Sequence, residues 1–128
     1  MLKIGLQGSA EKLSSAETTA SNFGSGGVDV FATPVMIGLM EEAACNAVHE
    51  LLPAGQTTVG TTVNVKHMAA TPVGMKVRGE ALLTMVDGRR LVFQITAYDE
   101  KEKIGEGEHE RFIIDLDKFL GKVKQKLS

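Results

Sequence analysis

Apolar positions in this chain recur at helical spacing in one early stretch and at every second residue in several later ones. The helical pattern runs from Thr33 to about Leu52. It opens on Thr33-Pro34, where a threonine side chain caps exposed amides and a proline at the first helical position forfeits no needed hydrogen bond. Pro53 and Gly55 stop it, because neither continues a helix comfortably. Beyond them the period becomes two: Val59, Thr61, Val63, Val65 and His67 share one face of a strand, and Thr58, Thr62, Asn64 and Lys66 share the other. Pro72 and Gly74 break that strand. Further strands are predicted from about Lys76 to Val86, Arg90 to Tyr98 and Ile104 to Asp115, the first two joined by a hairpin through Asp87-Gly88. Leu116 to Lys126 reads as a short amphipathic helix. Ahead of the long helix, Lys12 to Ala20 alternates well enough for one modest strand. Asn22 to Gly27 reads as a flexible glycine-dense loop, without the Gly-Lys-Ser/Thr of a phosphate cradle. One long helix followed by strands on short turns implies an α+β fold, an antiparallel sheet packed on a single central helix. The chain, 1–128, is read as a single domain. A sheet that covers one helix leaves another face open, so dimerisation is expected.

Composition narrows the function classes. The formal charge is −2, with both signs interspersed, so no basic stripe offers to neutralise a phosphate backbone. Tryptophan is absent, which also weakens any case for base stacking. Nucleic acid is therefore not an expected partner. The single cysteine, Cys45, has no internal disulfide partner, and the opening residues lack the apolar core of a signal peptide. No stretch reaches the roughly eighteen uncharged apolar residues of a membrane-spanning helix. A cytoplasmic protein without membrane contact is the expectation.

Candidate chemistry comes from polar groups in apolar company. On a helical wheel, Val48 and Leu52 lie within about 20° of Glu41, and Ile37 and Cys45 within about 40°, whereas His49, Glu42, Asn46 and Glu50 form the polar arc. Glu41 is thus expected in the apolar stripe, where desolvation raises a carboxyl pKa toward the range useful for acid–base work. A glutamate that snorkels from the edge of the stripe, or a buried structural pair, accounts for such a position more often than function does. His67 closes the inward run of the first predicted strand, and a lone core histidine is more often a packing residue than a catalyst. Two inward titratable groups on facing elements change that balance. Thr33 adds a hydroxyl at the helix mouth, beside amides suited to a developing oxyanion, although capping alone explains a threonine before proline. Cys45, one turn from Glu41, is read as core filler. The three histidines lack zinc-ligand spacing, so no metal or cofactor is expected.

The segments Val30-Phe31-Ala32-Thr33-Pro34, Gly38-Leu39-Met40-Glu41, Val59-Gly60-Thr61 and Val65-Lys66-His67, the last followed by Ala69-Ala70-Thr71-Pro72, resemble the fluoroacetyl-CoA thioesterase family. Gly88-Arg89-Arg90-Leu91, Gly107-Glu108-His109-Glu110-Arg111 and the Lys118-Phe119 and Lys122-Val123 tail extend the likeness to the C-terminus. The resemblance implies a hot-dog fold, an antiparallel five-stranded sheet wrapped around one long central helix, with two subunits building two sites near their interface and higher assemblies left open. It implies hydrolysis of an acyl-CoA by Thr33, Glu41 and His67, with a Gly60 amide facing the thioester carbonyl and Arg111 near the acyl-CoA entrance. Whether Glu41 acts as nucleophile or base stays open, and a non-catalytic acyl-CoA sensor of the same fold is the alternative. The fluoroacetyl-specific enzyme carries an aromatic-rich lid before its catalytic threonine. This chain has Phe23 and then Gly24-Ser25-Gly26-Gly27, so a different short or modest-length acyl group is expected.

Overall fold

The computed structural model describes residues 2–128. Five strands, β1 (Gln7–Leu13), β2 (Gln56–His67), β3 (Lys76–Asp87), β4 (Arg90–Tyr98) and β5 (Lys103–Asp115), form one antiparallel sheet in the order β1-β3-β4-β5-β2. A single turn, α1 (Ala20–Phe23), precedes the long helix α2 (Thr33–Val48), and α3 (Leu116–Lys124) follows the last strand. The three central predictions in the second half hold almost to the residue. The β3–β4 turn is built on Gly88-Arg89, with Gly88 at φ 61°, a left-handed value that glycine adopts without steric cost.

Met36, Leu39, Met40, Ala43 and Ala47 of α2 pack against Val77, Leu83, Phe93 and Ile95 on the inner face of the sheet. Burial of each large apolar side chain there contributes about 1.5–3 kcal/mol. This arrangement corrects the expected placement of Glu41. The buried stripe of α2 is centred on Met36, Met40, Ala43 and Ala47, roughly 100° or more around the helix from Glu41. Because α2 is apolar almost all round, the wheel alone did not locate the stripe's centre. Glu41 belongs to a flank with Ile37 and Cys45 that is only half-buried.

Four other expectations change. The first strand is Gln7–Leu13, not Lys12–Ala20; past Leu13 the chain forms a turn of 3₁₀ helix and then α1, capped by the Thr19 hydroxyl accepting from the Asn22 amide. Gly24, at φ 86°, ends α1, so the first two residues of the expected loop, Asn22 and Phe23, are helical. The long helix ends at Val48 and tightens into 3₁₀ geometry over His49–Leu51. In β2 the pairing with β5 slips between Gly60 and Thr62. An extra residue there reverses which side chains face inward. Thr58 and Gly60 are therefore inward before the bulge, and Val63, Val65 and His67 after it, so Val59 and Thr61 do not share the face of His67.

Candidate active site

Helix α2 and the edge strand β2 run in opposite senses, so their contacts fall at two separated ends. At one end Thr33 meets His67. Thr33 is the first residue of α2, and Ala32 provides the cap with its backbone alone. Its hydroxyl is therefore not used as a cap and lies 2.7 Å from His67 Nδ1. Burial pushes the His67 pKa below its ordinary value of 6.5, with a backbone hydrogen bond to Ala69 opposing that shift. His67 Nε2 is buried without a side-chain or backbone partner that satisfies hydrogen-bond geometry. In the tautomer protonated on Nε2, Nδ1 accepts from the Thr33 hydroxyl and Nε2 carries the ring's one N–H. An open cleft of ≈ 270 Å³ begins here, bordered by Thr33, His67, Phe31, Met68 and Ser25 of the glycine loop. A larger hollow of ≈ 480 Å³ opens among Arg78, Glu80, Gln94 and Thr96 and includes none of the candidate residues.

At the other end Glu41 faces Gly60 and Arg111. The Glu41 side chain is 39% exposed, and its Oε2 lies 3.9 Å from Arg111 Nη1. That separation is an ion pair without a hydrogen bond, which leaves the carboxylate lone pairs free of protein donors. Gly60 is small for a reason visible here: a Cβ on it would come within 3.0 Å of Glu41 Oε2 and 3.3 Å of Arg111 Nη1. Arg111 itself, expected near the acyl-CoA entrance, is 7% exposed. Its Nε donates to Thr58 Oγ1 at 2.8 Å, its Nη2 to the Thr58 carbonyl at 2.9 Å, and its Nη1 to His109 Nε2 at 3.1 Å.

Within one chain the structure thus joins Thr33 to His67 and Glu41 to Arg111 and Gly60, but it joins neither group to the other. Thr33 and Glu41 are about 12 Å apart along the helix axis, and Gly60 and His67 about 20 Å apart along the strand. The expectation that Glu41 and His67 face each other is not met within the chain. The sequence singles out neither Thr58 nor His109 as a candidate site residue, although both hold Arg111 here. Alternation along β5 could have found His109, since Gly105, Gly107, His109 and Arg111 share the inward face. Thr58 was hidden by the bulge. Cys45 is half-buried and free, consistent with a packing role. Among the described residues, no three His, Cys, Asp or Glu side chains converge as metal ligands.

Residues 15–117 match the model of the family described as fluoroacetyl-CoA-specific thioesterase. The chain belongs to that family. A fluoroacetyl-CoA thioesterase from Streptantibioticus cattleyicolor is 47% identical over 98 residues, 77% of this chain and 70% of that protein. The solved fluoroacetyl-CoA thioesterase FlK superposes with a TM-score of 0.91 at 36% identity, covering 98% of each chain. A Thermus thermophilus member of the thioesterase superfamily superposes with a TM-score of 0.90 at 28% identity, covering 98% of this chain and 93% of its own. As a member of the fluoroacetyl-CoA-specific thioesterase family, the protein is a thioester hydrolase, and the five-stranded sheet curled over α2 is the hot-dog fold. Among the described residues, no helix is long and apolar enough to cross a membrane.

Proposed function

We propose that the protein hydrolyses a short or modest-length acyl-CoA to the free acid and coenzyme A, with Thr33, Glu41 and His67 as its catalytic set and sites completed across a cytoplasmic homodimer. The observation that carries this reading is the separation just described: the Thr33–His67 pair and the Glu41 carboxylate flank the same edge strand at opposite ends. Among the described residues no strand pairs with the outer edge of β2, and a free strand edge is a template for another strand. Two copies joined antiparallel across β2 about a two-fold axis near Val63 bring Glu41 of one chain toward the partner's His67, twice per dimer. Val63, inward-facing yet 38% exposed, lies where such a partner covers it.

In this site the Glu41 carboxylate either attacks the thioester carbonyl carbon or takes a proton from the water that attacks it. The carbon–sulfur bond breaks, and His67 carries a proton to the departing sulfur; in the first route water then hydrolyses the acyl–Glu41 anhydride, releasing the acid and restoring the carboxylate. Thr33 orients the imidazole. The amide of Gly60 and the exposed amides at the start of α2 stabilise the oxyanion. Arg111 places a fixed positive charge beside Glu41 and the acyl-CoA. All of these steps use water and the protein's own side chains, with no metal or cofactor. The relatives named above are fluoroacetyl-CoA thioesterases; on the glycine-loop side the cleft beside Thr33 is bordered by the small side chain of Ser25, which leaves room for acyl groups beyond fluoroacetyl.

The test is release of free thiol from a panel of short acyl-CoAs, fluoroacetyl-CoA included. Turnover is expected on several of them, and Glu41→Gln should lower it by at least about 10²-fold, as loss of acid–base or nucleophilic assistance does. Saturable binding with no thiol release, or undiminished turnover by the variant, contradicts the reading. Single turnover in oxygen-18 water separates the routes, because label enters the Glu41 carboxylate only if an acyl-enzyme forms.

A further inference from the structure

The hydrogen bonds around Arg111 determine the protonation of a histidine that the mechanism does not use. Arginine has no acceptor, so His109 Nε2, 3.1 Å from Arg111 Nη1, must present a lone pair. Its Nδ1 lies 2.8 Å from the Thr62 carbonyl and must carry the proton. His109 is therefore a neutral imidazole of defined tautomer. It is 0% exposed, and its ring packs near Phe93 with centroids 6.4 Å apart. Burial, and next to it the charge of Arg111, favour the neutral form, against a backbone hydrogen bond to Thr62 and the charge of Glu41.

The carbonyl that holds His109 belongs to Thr62, on the far side of the β2 bulge from Gly60. On the other side of the guanidinium, Thr58 takes two donors, one on its hydroxyl and one on its carbonyl. Three of the five arginine N–H groups are thus committed before Glu41 is considered. What remains is one N–H on each terminal nitrogen, and Nη1 is the atom nearest Glu41 Oε2.

We infer that His109 and Thr58 are positioning residues of the thioesterase site, clamping the Arg111 guanidinium so that its charge stands beside Glu41 without hydrogen-bonding to it. A guanidinium released from this clamp is free to swing onto the carboxylate and form the closer bidentate pair that arginine and glutamate prefer. That contact occupies the lone pairs Glu41 needs for attack or proton transfer. The clamp therefore protects a reactive carboxylate from its own counter-ion. A core histidine that merely fills space has no such link to turnover.

This inference rests on Glu41 being catalytic, so Glu41→Gln is the reference variant. His109→Phe keeps a ring against Phe93 and removes the acceptor for Arg111. His109→Gln restores an amide oxygen for Arg111 and an N–H for the Thr62 carbonyl. Thiol release and melting temperature are measured for each on the best acyl-CoA of the panel. His109→Phe is expected to lower kcat about 10- to 100-fold, the scale of a misplacement near 1 Å, and His109→Gln to recover most of it at a comparable melting temperature. Equal kcat in the two variants, or wild-type kcat in a folded His109→Phe, overturns the inference. Should His109→Phe not fold, Thr58→Val carries the test: it removes one acceptor of the clamp and is expected to lower kcat several-fold, and an unchanged kcat overturns the inference. Full activity in Glu41→Gln refutes the catalytic assignment instead, whatever the His109 variants do.

Discussion

The two ends of the α2–β2 contact are built on opposite plans. At the Thr33–His67 end, a hydroxyl and an imidazole meet at the mouth of an open cleft, beside a helix start and a short glycine loop, with one ring nitrogen left without a partner. At the Glu41 end, a half-exposed carboxylate is backed by a buried network of Arg111, His109 and Thr58 in which every link is hydrogen-bonded except the last. One end has an open approach and a proton carrier; the other has a fixed charge and a free carboxylate. Neither is a complete hydrolytic site. On the proposed reading the difference teaches that this chain carries two half-sites, and that their union depends on a second copy.

Substitutions sharpen that division. Thr33→Val removes the hydroxyl from His67 Nδ1 without touching the Glu41 end. It should lower kcat by up to about 10²-fold, and the melting temperature should hardly move because Ala32 caps α2 without the Thr33 side chain. A large loss of stability with normal kcat would return Thr33 to a capping role. Gly60→Ala disturbs the opposite end: the new methyl meets Glu41, His109 and Arg111 at once. Because the Glu41 tip is flexible, a fall in kcat of about 10-fold is expected, with His67 accessibility to a histidine-modifying reagent unchanged.

The smallest effect is on stability against pH. His67 and His109 have pKa values below the ordinary 6.5, both chiefly through burial. In acid just below that value the unfolded chain binds more protons than the folded one, so stability falls as pH drops through 6.5 and levels off once the folded values are passed. Melting temperature followed from neutral pH downward should show this decline, and His109→Phe should lose its own share of it. The Glu110 carboxyl, held below 4.5 chiefly by its hydrogen bond from Arg90, contributes only in the more acid range. A flat profile between neutral pH and that range would contradict the lowered values of the half-buried His67 and the buried His109.

How much of this was legible in the sequence depended on where side chains carry the packing. α2, β3, β4 and β5 announce themselves through apolar periodicity and turn glycines. β1 does not, because its inward residues are Gly8 and Ala10, and α2 approaches so closely that a Cβ on Gly8 would collide with the backbone of Ala43 and Ala47. The hydrophobic signal vanishes where the contact is tightest. The β2 bulge was invisible for a related reason: Val59, Thr61, Val63 and Val65 continue an unbroken alternation through a point where the backbone inserts an extra residue. Thr33, Glu41, His67 and Gly60 were legible as candidates, the first three from anomalies of pattern and all four from family resemblance. Their grouping into two ends was not, since it follows from the antiparallel course of α2 and β2.

The most direct test of the shared site is complementation between two inactive chains. Glu41→Gln and His67→Ala are each prepared, then unfolded and refolded together in equal amounts, with separately refolded samples as controls. If each site joins Glu41 of one chain to the partner's His67, half of the dimers pair unlike chains and each of those contains one intact site, so about a quarter of the wild-type activity should return. If both groups act within one chain, no intact site can form, and a mixture as inactive as its components would contradict the account.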